Sequence, residues 1–359
     1  MRLLALFCVT IMSLSIFAGE SLTLVSVTDS GPFSPNGDGK KDACAITGHF
    51  RVSSAEVGNS PPNAPKAFVL EVVVSIQGAR TVTQRVTVTG ASEIDVTATW
   101  DGTAQNGTLK PEAEYSYVVS GRLYRVITAN PSNPRETLIG ASQSLNGSVK
   151  LDTTAPSIDF VWPKDGAFTN IKSPAIYGSY FDALSKVDET SVKFYLDGEP
   201  KEIVAGESAF SVSASELREG QHNALLELKD KAGNEATQAW SFFVDTIPPV
   251  AVVSPANETI TNNPLIGLSG SFSDDEPSSE IDVSKVHVFL DGSEITESAG
   301  VSAGGFGYSP PERLYDGYHS LTVVVEDRAE NQTSASSTFL VDTELPIIDS
   351  ITPENGSYI

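Results

Sequence analysis

The motif Asp-Thr-x-x-Pro occurs three times in the chain, each time directly after an apolar, strand-like run. The copies begin at Asp152, Asp245 and Asp342, which are 245 − 152 = 93 and 342 − 245 = 97 residues apart. A motif that recurs at a nearly constant spacing is typical of a chain built from repeated structural units. The sequence therefore predicts a string of modules, each of about 100 residues.

The two units between these motifs, residues 152–244 and 245–341, match each other along their length. Both carry a Leu-Asp-Gly sequence, at 196–198 and 290–292, where Gly tolerates a positive φ and Asp bonds its own backbone, as in a hairpin turn. Short segments of alternating polar and apolar residues surround these turns, and no segment has the pattern of a long amphipathic helix. We predict an all-β chain of tandem immunoglobulin-like β-sandwiches, arranged as beads on a string.

The two ends of the chain differ from the repeats. Residues 1–18 have a basic start, an apolar run and a small-residue end, which predicts a signal peptide rather than a membrane span. Residues 19–151 form the first unit. Residues 342–359 repeat the Pro and Gly spacing that follows Asp152, and we predict them to be the first strand of an incomplete third repeat. Because a lone strand cannot bury its face, we expect the chain to be a fragment of a longer protein.

The charge and cysteine content narrow the classes of function. The formal net charge of −23 becomes −24 when Arg2 leaves with the signal peptide. Such a chain repels nucleic acid and anionic lipid and offers many carboxylates to divalent cations. Cys44 is the one cysteine beyond the signal peptide, so no internal disulfide is available. It lies in an apolar strand-like segment without a neighbouring base, which favours a buried hydrophobic side chain over a reactive thiol.

Three motifs in the first unit carry a family resemblance. They are Phe-Ser-Pro-Asn-Gly-Asp-Gly at residues 33–39, Trp-Asp-Gly at 100–102, and the strand around Tyr-Ser-Tyr at 115–117. The unit resembles the Ig-like domain of flagellar hook-capping (FlgD-type) proteins, which also occurs in many bacterial surface and secreted proteins. Residues 110–114 depart from the family pattern, which has Gly before its tyrosine strand, so the turn there differs.

The two repeats resemble the bacterial Ig-like repeats of large cell-surface and adhesin proteins. The resemblance rests on the Asp-Thr-x-x-Pro junction, the Leu-Asp-Gly turn and the sequence Asp-x-Ala-Gly-Asn at 230–234, where the second repeat has Glu330 in place of Gly. It implies a bacterial, exported protein, but neither resemblance implies a particular activity.

The loop at residues 34–45 contains the first candidate metal ligands. With Ser34 at position 1 of a calcium loop, Asn36, Asp38 and Asp42 fall at positions 3, 5 and 9, where oxygen ligands belong. Position 12, which carries a bidentate Glu in such loops, is Ala45. A weak Ca²⁺ site and a turn fastened by side-chain-to-backbone hydrogen bonds therefore stay as alternatives.

The junctions contain the second set of candidate ligands. Asp245 and Asp342 each follow a hairpin that carries an Asp and an Asn, and carboxylates from two modules could converge on one Ca²⁺. In the alternative, which the low number of nearby carboxylates favours, Asp and Thr only cap the junction backbone. We interpret the acidic loop at 273–276 as solvated. The candidate residues are Asp152, Asp230, Asn234, Asp245, Asp327, Asn331 and Asp342.

The sequence gives no catalytic constellation. His222 and His319 occupy equivalent positions in the two repeats, and neither a Ser-His-Asp set nor a metal-binding His pair can be drawn from a local segment. Trp100, Trp162 and Trp240 lie near strand ends, and we predict them to be core aromatics. A carbohydrate-binding module would need a row of exposed aromatic residues on one sheet face, and no such row is evident in the sequence.

These observations predict a non-catalytic structural or adhesive stalk, exported by a bacterium to the periplasm, the cell surface or the medium. Its modules would space or present a region that binds a protein or cell-surface partner, which the sequence does not identify. It gives no indication of an obligate oligomer, of nucleic-acid binding or of a transmembrane segment. In the alternative, the modules are accessories of a larger secreted protease or glycosidase whose catalytic domain lies outside this chain.

Overall fold

The computed structural model describes residues 22–53, 66–88, 92–127 and 135–350, together with residues 352 and 356. The predicted signal peptide lies outside the described residues. The all-β prediction is confirmed, because the described residues form β-strands and three short 3₁₀ turns, at Glu189–Ser191, Val283–Lys285 and Thr296–Ser298. No helix in this part of the chain has the length and apolar character needed to cross a membrane.

The first unit is a sandwich of two antiparallel sheets. One sheet has the strand order β1-β2-β5; the other has the order β4-β3-β6-β7, and β8 also pairs with β6. Trp100 is fully buried between them, with the Phe33 and Tyr115 rings at 5.3 and 5.0 Å. The strands are β1 (Leu22–Asp29), β2 (Cys44–Val52), β3 (Lys66–Ile76), β4 (Thr81–Val88), β5 (Ser92–Trp100), β6 (Ala113–Ile127), β7 (Arg135–Ala141) and β8 (Leu145–Leu151).

The second unit is again a two-sheet sandwich with its own core. Its sheets have the strand orders β10-β17-β16-β12-β13 and β14-β15-β11-β9. Its core contains the rings of Phe194, Phe210 and Trp240. The strands are β9 (Ser157–Trp162), β10 (Ala167–Thr169), β11 (Ala175–Phe181), β12 (Lys193–Leu196), β13 (Glu199–Lys201), β14 (Val204–Ala205), β15 (Ala209–Ser213), β16 (Gly220–Lys229) and β17 (Glu235–Val244).

The third unit repeats this arrangement. Its sheets have the strand orders β19-β26-β25-β21-β22 and β18-β20-β24-β23. A third core, separate from the other two, includes Val288, Leu321 and Phe339. The strands are β18 (Val250–Ser254), β19 (Ile260–Thr261), β20 (Leu268–Ser273), β21 (His287–Leu290), β22 (Ser293–Glu294), β23 (Gly300–Ser302), β24 (Gly305–Tyr308), β25 (Gly317–Glu326) and β26 (Gln332–Val341). We call the three units modules 1, 2 and 3.

Each module joins a segment near its start to its last strand in parallel. In module 2, β10 pairs in parallel with β17, and in module 3, β19 pairs in parallel with β26. In module 1 the corresponding contact is a parallel bridge between Phe33 and Leu151. All the other strand pairs among the described residues are antiparallel, as in Greek-key sandwiches.

The Leu-Asp-Gly hairpin turns predicted from the sequence are confirmed. In the β12–β13 turn, Asp197 has a φ of 54° and Gly198 a φ of 82°. Two consecutive positive φ values define the type I′ turn, whose twist matches that of the flanking strands. Asp291 and Gly292 have φ values of 50° and 79° in the equivalent β21–β22 turn.

Trp162 corrects one of our predictions. Trp100 and Trp240 are buried as predicted, but the Trp162 side chain is 41% exposed. The register of β9 shifts by one residue where it pairs with β11, between Ser179 and Tyr180. Such a bulge turns the residues beyond it to the opposite face of the sheet. Trp162 therefore points to solvent together with Phe160, and module 2 does present a group of exposed aromatic residues that was not evident in the sequence.

The segment after the third junction contains no strand in residues 342–350. Three of the apolar side chains in this described stretch are largely exposed. They are Leu345, Ile347 and Ile348.

Candidate functional site at the module junctions

The last residue before module 2, Asp152, is buried in module 2 rather than in module 1. Its side chain is 1% exposed, and its Oδ2 accepts a hydrogen bond of 2.9 Å from the Ser185 N–H. Its Oδ1 accepts a 3.2 Å bond from the Thr154 N–H. The carboxylate therefore fixes the start of module 2 to a loop of that module.

The β16–β17 hairpin holds the same aspartate from the other side. The Asn234 side-chain amide donates to the Asp152 main-chain oxygen at 2.9 Å and to Asp230 Oδ2 at 2.7 Å. Asp230 Oδ1 in turn accepts from the N–H groups of Gly233 and Asn234 at 2.6 and 2.9 Å. The side chain of Asn234 thus ties the hairpin tip to the junction backbone.

The next junction repeats these contacts. Asp245 is fully buried, and its Oδ2 accepts a 2.7 Å hydrogen bond from the Ser279 N–H. The Asn331 amide donates to the Asp245 main-chain oxygen and to Asp327 Oδ2, both at 2.8 Å. Since the same four contacting positions recur at both junctions, the arrangement is a property of the repeat rather than of one joint.

A third carboxylate completes each cluster. Asp182 joins Asp152 and Asp230, and Asp274 joins Asp245 and Asp327; within each group of three, one ligand atom per residue lies within 4.8 Å of the others. The two clusters differ in one respect. Asp182 Oδ1 accepts from the Lys186 N–H at 2.6 Å, whereas the buried Asp274 Oδ1 has no hydrogen-bond partner.

The clusters concentrate negative charge in a partly desolvated space. Burial raises the pKa values of Asp230, Asp274 and Asp327 above the ordinary range of an aspartate. Repulsion from Asp152 adds to the shift of the Asp230 pKa, and repulsion from Asp245 adds to the other two. Chemically, each cluster therefore favours a proton or a cation among its carboxylates.

The threonine of each Asp-Thr-x-x-Pro motif binds an acid of the preceding module. The Thr153 N–H donates to Glu112 at 2.8 Å, and its hydroxyl bonds the same carboxylate. Hydrogen bonds from Thr153 lower the pKa of Glu112. The Thr246 N–H and hydroxyl bind Glu219 at 2.9 and 2.7 Å. The Asp side chain thus contacts the following module and the Thr contacts the preceding one, so the motif joins the two modules.

In the described residues, the third copy of the motif contacts only the module before it. Thr343 donates from its N–H to Asp316 at 2.8 Å, as the other threonines do to their acids. Asp342 is exposed, and its Oδ1 accepts from the Glu344 N–H at 3.1 Å. Among the described residues it joins no carboxylate cluster.

The loop with the candidate ligands Asn36, Asp38 and Asp42 lies beside the first junction. The Asp42 carboxylate accepts from the N–H groups of Gly37 and Gly39 at 2.7 and 2.8 Å, and Asn36 and Asp38 accept from N–H groups two residues ahead. These are the bonds of the fastened turn, and calcium binding by this loop stays a prediction.

The same loop reaches module 2. The Lys41 ammonium donates to the Lys231 main-chain oxygen at 2.5 Å, and Lys40 lies 3.5 Å from Glu235. The loop is held there because Phe33, just before it, exchanges main-chain hydrogen bonds with Lys150 and Asp152 at the end of module 1. Module 1 therefore contacts the β16–β17 hairpin through this loop as well as through the junction.

The structure corrects which hairpin meets which junction. We predicted that Asp230 and Asn234 would meet the junction that follows them, at Asp245, but they contact Asp152. A ten-residue strand, β17, separates this hairpin from Asp245 and spans about 33 Å, so the hairpin tip lies at the opposite end of the module. Likewise, Asp327 and Asn331 contact Asp245 and not Asp342.

Sequence reasoning also missed several participants. Asp274 lies in the loop that we interpreted as solvated, yet its Oδ1 is buried. The signal that could have found it is its position directly after β20, which corresponds to that of Asp182 directly after β11. The remaining missed residues are Asp182, Ser185, Ser279, Glu112, Glu219 and Asp316.

Residues 256–343 match the family model described as a bacterial Ig-like domain. The comparison with curated protein sequences found no significant match.

Three solved structures illustrate the structural likeness. The fibronectin(III)-like modules of Clostridium thermocellum CbhA are 18% identical over 55% of this chain and 99% of that chain, with a TM-score of 0.34. A bacterial ice-binding adhesin is 12% identical over 89% of this chain and 99% of its own, with a TM-score of 0.33. A tetra-tandem repeat of a large adhesion protein is 16% identical over 88% and 74%, with a TM-score of 0.29. By its own strand order and its separate cores the chain is a tandem array of Ig-like β-sandwiches, and its residues 256–343 match a bacterial Ig-like domain.

Proposed function

We propose that this chain is a non-catalytic exported stalk whose joints hold successive modules at a fixed relative orientation. The observation that carries the proposal is the burial of Asp152 and Asp245 in the module that follows each of them, at 1% and 0% exposure. A flexible linker between domains is exposed and makes few contacts. A junction residue that is enclosed by the next module instead transmits orientation from one sandwich to the next.

Further support comes from the number of contacts across the first joint. Asp152, the Lys41 ammonium and the Lys150 ammonium all bind main-chain groups of module 2. These contacts involve separate segments of module 1, and bending the joint would break several of them together. Presentation at a fixed distance follows from this stiffness. The match to a bacterial Ig-like domain supports an extracellular or surface location.

We also propose that Ca²⁺ binds at the two carboxylate clusters and stiffens the joints. Three carboxylates in each cluster can supply several of the six to eight oxygen ligands that Ca²⁺ takes at 2.3–2.6 Å. Asp274 Oδ1, which is buried and has no hydrogen-bond partner, is suited to such a ligand role. Asp245 and Asp327 would bind the same ion, so the ion would join the end of module 2 to module 3.

Small-angle X-ray scattering of the folded chain tests the stalk. We expect the scattering of the wild type to fit a single conformation, more closely with Ca²⁺ and less closely with a chelator. Asp245→Ala should require a mixture of conformations in both conditions, because the enclosed junction contact is lost, while circular dichroism confirms that the sandwiches stay folded. Asp275→Ala, an exposed acid beside the same cluster, is the matched control and should behave as wild type. A wild type that already scatters as freely jointed beads would refute the proposal.

A further inference from the structure

The outer face of the β14-β15-β11-β9 sheet of module 2 carries four exposed aromatic side chains. Phe160 and Trp162 on β9 are 39% and 41% exposed, and Tyr177 and Phe181 on β11 are 41% and 58% exposed. We call these four residues the aromatic face. Single apolar residues scattered on a surface need no explanation, but a contiguous group of them marks a contact site.

Three of the rings form one continuous group. Strand pairing places Tyr177 directly opposite Trp162, and Ser179 opposite Phe160. The Tyr177 ring centroid lies 5.9 Å from that of Phe160 and 6.5 Å from that of Trp162. Tyr177 therefore lies between the other two, and the three rings offer an extended apolar surface.

The aromatic face is not a requirement of the fold, as module 3 shows. Ser254, which pairs with Ser269, corresponds to Trp162, which pairs with Tyr177. The remaining equivalents are Val252 for Phe160 and Ser273 for Phe181. The same sandwich thus forms with one aliphatic and three serine side chains at these positions. Keeping four large apolar groups in water at no structural benefit indicates a ligand.

The four strands of this sheet carry a single charged residue, Asp159, and several hydroxyl groups. The outward positions of β15 are Ala209, Ser211 and Ser213, and the Ser211 and Ser213 hydroxyls make no hydrogen bond within the described part of the chain. Together with Tyr177 these serines line an open trough of about 460 Å³. Asp159, in the bulge of β9, is the one charged residue on that strand.

These features decide between classes of occupant. A second copy of this chain would bring another net charge of −23 to the face, which long-range repulsion opposes. A cationic partner would find more complementary charge at the carboxylate clusters than at this face, whose strands carry the one acid Asp159. The match is a neutral ligand with flat apolar faces and hydroxyl edges, and these are the properties of a sugar ring.

We propose that the aromatic face of module 2 binds a neutral polysaccharide. The rings would stack on the C–H faces of successive sugar units, while the Ser211 and Ser213 hydroxyls would bond sugar hydroxyls along the trough. Aromatic side chains suit this role because they combine a large apolar area with few rotatable bonds. The inference goes beyond the spacing function, which makes no use of this face.

Affinity electrophoresis tests the proposal. The chain would be run through native gels that contain hydroxyethylcellulose, galactomannan or arabinoxylan, with polygalacturonate as the charged comparison. We expect at least one neutral polymer to retard the wild type and polygalacturonate to leave it unchanged. The same polymer should quench tryptophan fluorescence, since Trp162 is exposed while Trp100 and Trp240 are buried.

Matched variants assign the effect to the face. Trp162→Ala and Tyr177→Ala should each weaken binding by about tenfold or more, as truncation of a central contact residue does. Val252→Ala, which changes the corresponding position of module 3, should bind as wild type. All three sites are exposed, and unchanged melting temperatures would show that folding is intact.

Three results would overturn the proposal. These are passage through all three neutral gels without retardation, retardation that persists in both aromatic variants, and concentration-dependent self-association in sedimentation that Trp162→Ala abolishes. The last result would identify the face as an interface between copies of the chain. None of these outcomes depends on the stiffness of the joints, so the stalk proposal would be unaffected.

Discussion

Buried histidines show how single polar residues are accommodated in these sandwiches. His222 is 2% exposed, and its Nδ1 and Nε2 lie 2.7 Å from Asp197 Oδ2 and 2.9 Å from the Arg218 main-chain oxygen. The two ring nitrogens thus each face an oxygen acceptor. His319 makes the same pair of contacts in module 3, with Asp291 in place of Asp197. The histidine thus ties the Leu-Asp-Gly turn to the loop before the long hairpin.

Asp197→Asn should destabilise module 2 at neutral pH. Burial raises the pKa of Asp197, but hydrogen bonds from the Asn223 N–H and from His222 lower it by more, so the net shift is downward. A lowered pKa in the folded state means that the carboxylate stabilises above its unfolded pKa of about 3.9 and that this contribution is lost as the pH falls through the folded value.

The measurement is urea unfolding of wild type and Asp197→Asn between pH 7 and pH 2.5. We expect the variant to lose about 1–3 kcal/mol at pH 7, as for a hydrogen bond to a charged group, and the difference to shrink at the acid end. Asp188→Asn, which changes a half-buried turn carboxylate whose capping bond to the Thr190 N–H an Asn side chain can keep, is the control. A difference that is independent of pH would contradict the assigned role of the charge.

Sequence comparison of the repeats could predict that His222 and His319 are equivalent, but not what they bind. Asp197 lies 25 residues before His222, and the two come together because β12 and β16 are neighbours in the sheet. Such a contact depends on strand order, which local sequence patterns do not specify.

At the scale of the structural element, the backbone conformation of two turns in module 1 explains why glycine occupies them. Gly102, in the Trp-Asp-Gly turn after β5, has a φ of 78°, and a Cβ there would lie 2.8 Å from Leu151 Cδ1. Gly78, in the β3–β4 turn, has a φ of 69°, and a Cβ there would meet no atom within 4 Å. Both positions need a positive φ, but a side chain would be crowded by a neighbour only at position 102.

Gly102→Ala should therefore destabilise module 1 by more than Gly78→Ala. The backbone conformation alone costs an L-residue about 1–2 kcal/mol at either site. Crowding against Leu151 adds about 1–3 kcal/mol at position 102, as overpacking does in a core. Chemical denaturation of both variants checks this, and equal losses would show that the contact with Leu151 is relieved without cost.

The residues of β9 that face solvent could not be predicted from the sequence. Alternation from the inward Ile158 would place Phe160 and Trp162 inside, and the bulge at Asp159 reverses that assignment. A bulge of this kind leaves no clear signal in a single sequence. The hairpin turns were predictable because Asp-Gly pairs have an intrinsic preference for the positive φ values that these turns need.

At the scale of the whole molecule, the modular organisation was predictable and the joints were not. Three spaced copies of one motif define the period without knowledge of any contact. The identity of the hairpin that meets each junction depends on which end of the sandwich the hairpin occupies. Asp230 is closer in sequence to Asp245 than to Asp152, yet it lies beside Asp152.

Asp274→Asn should melt above wild type in the absence of Ca²⁺ and below wild type in its presence. Burial, with repulsion from Asp245 and Asp327, raises the pKa of Asp274. A raised pKa means that the group stabilises at low pH and that this contribution is lost as the pH rises through the folded value. At pH 7 in a chelator the variant should therefore melt above wild type, and the gap should close at acid pH.

With Ca²⁺ the order should reverse. Binding at about 100 times the Kd stabilises by about 2.7 kcal/mol, which raises the Tm of a domain of this size by on the order of 10 °C. Asp274→Asn should lose most of this rise, and Asp275→Asn, beside it but outside the cluster, should keep it. Identical melting curves of wild type in Ca²⁺ and in chelator would refute calcium binding.

The parallel pairing of first and last segments in each module has a mechanical consequence. When the two ends of the array are pulled apart, β10 slides against β17 and β19 against β26. This is because the paired segments are parallel and come from the start and the end of the same module. The hydrogen bonds of such a pair share the load instead of opening one after another. A row of these sandwiches should resist tension along its length, while a force applied to a hairpin would peel its strands apart easily.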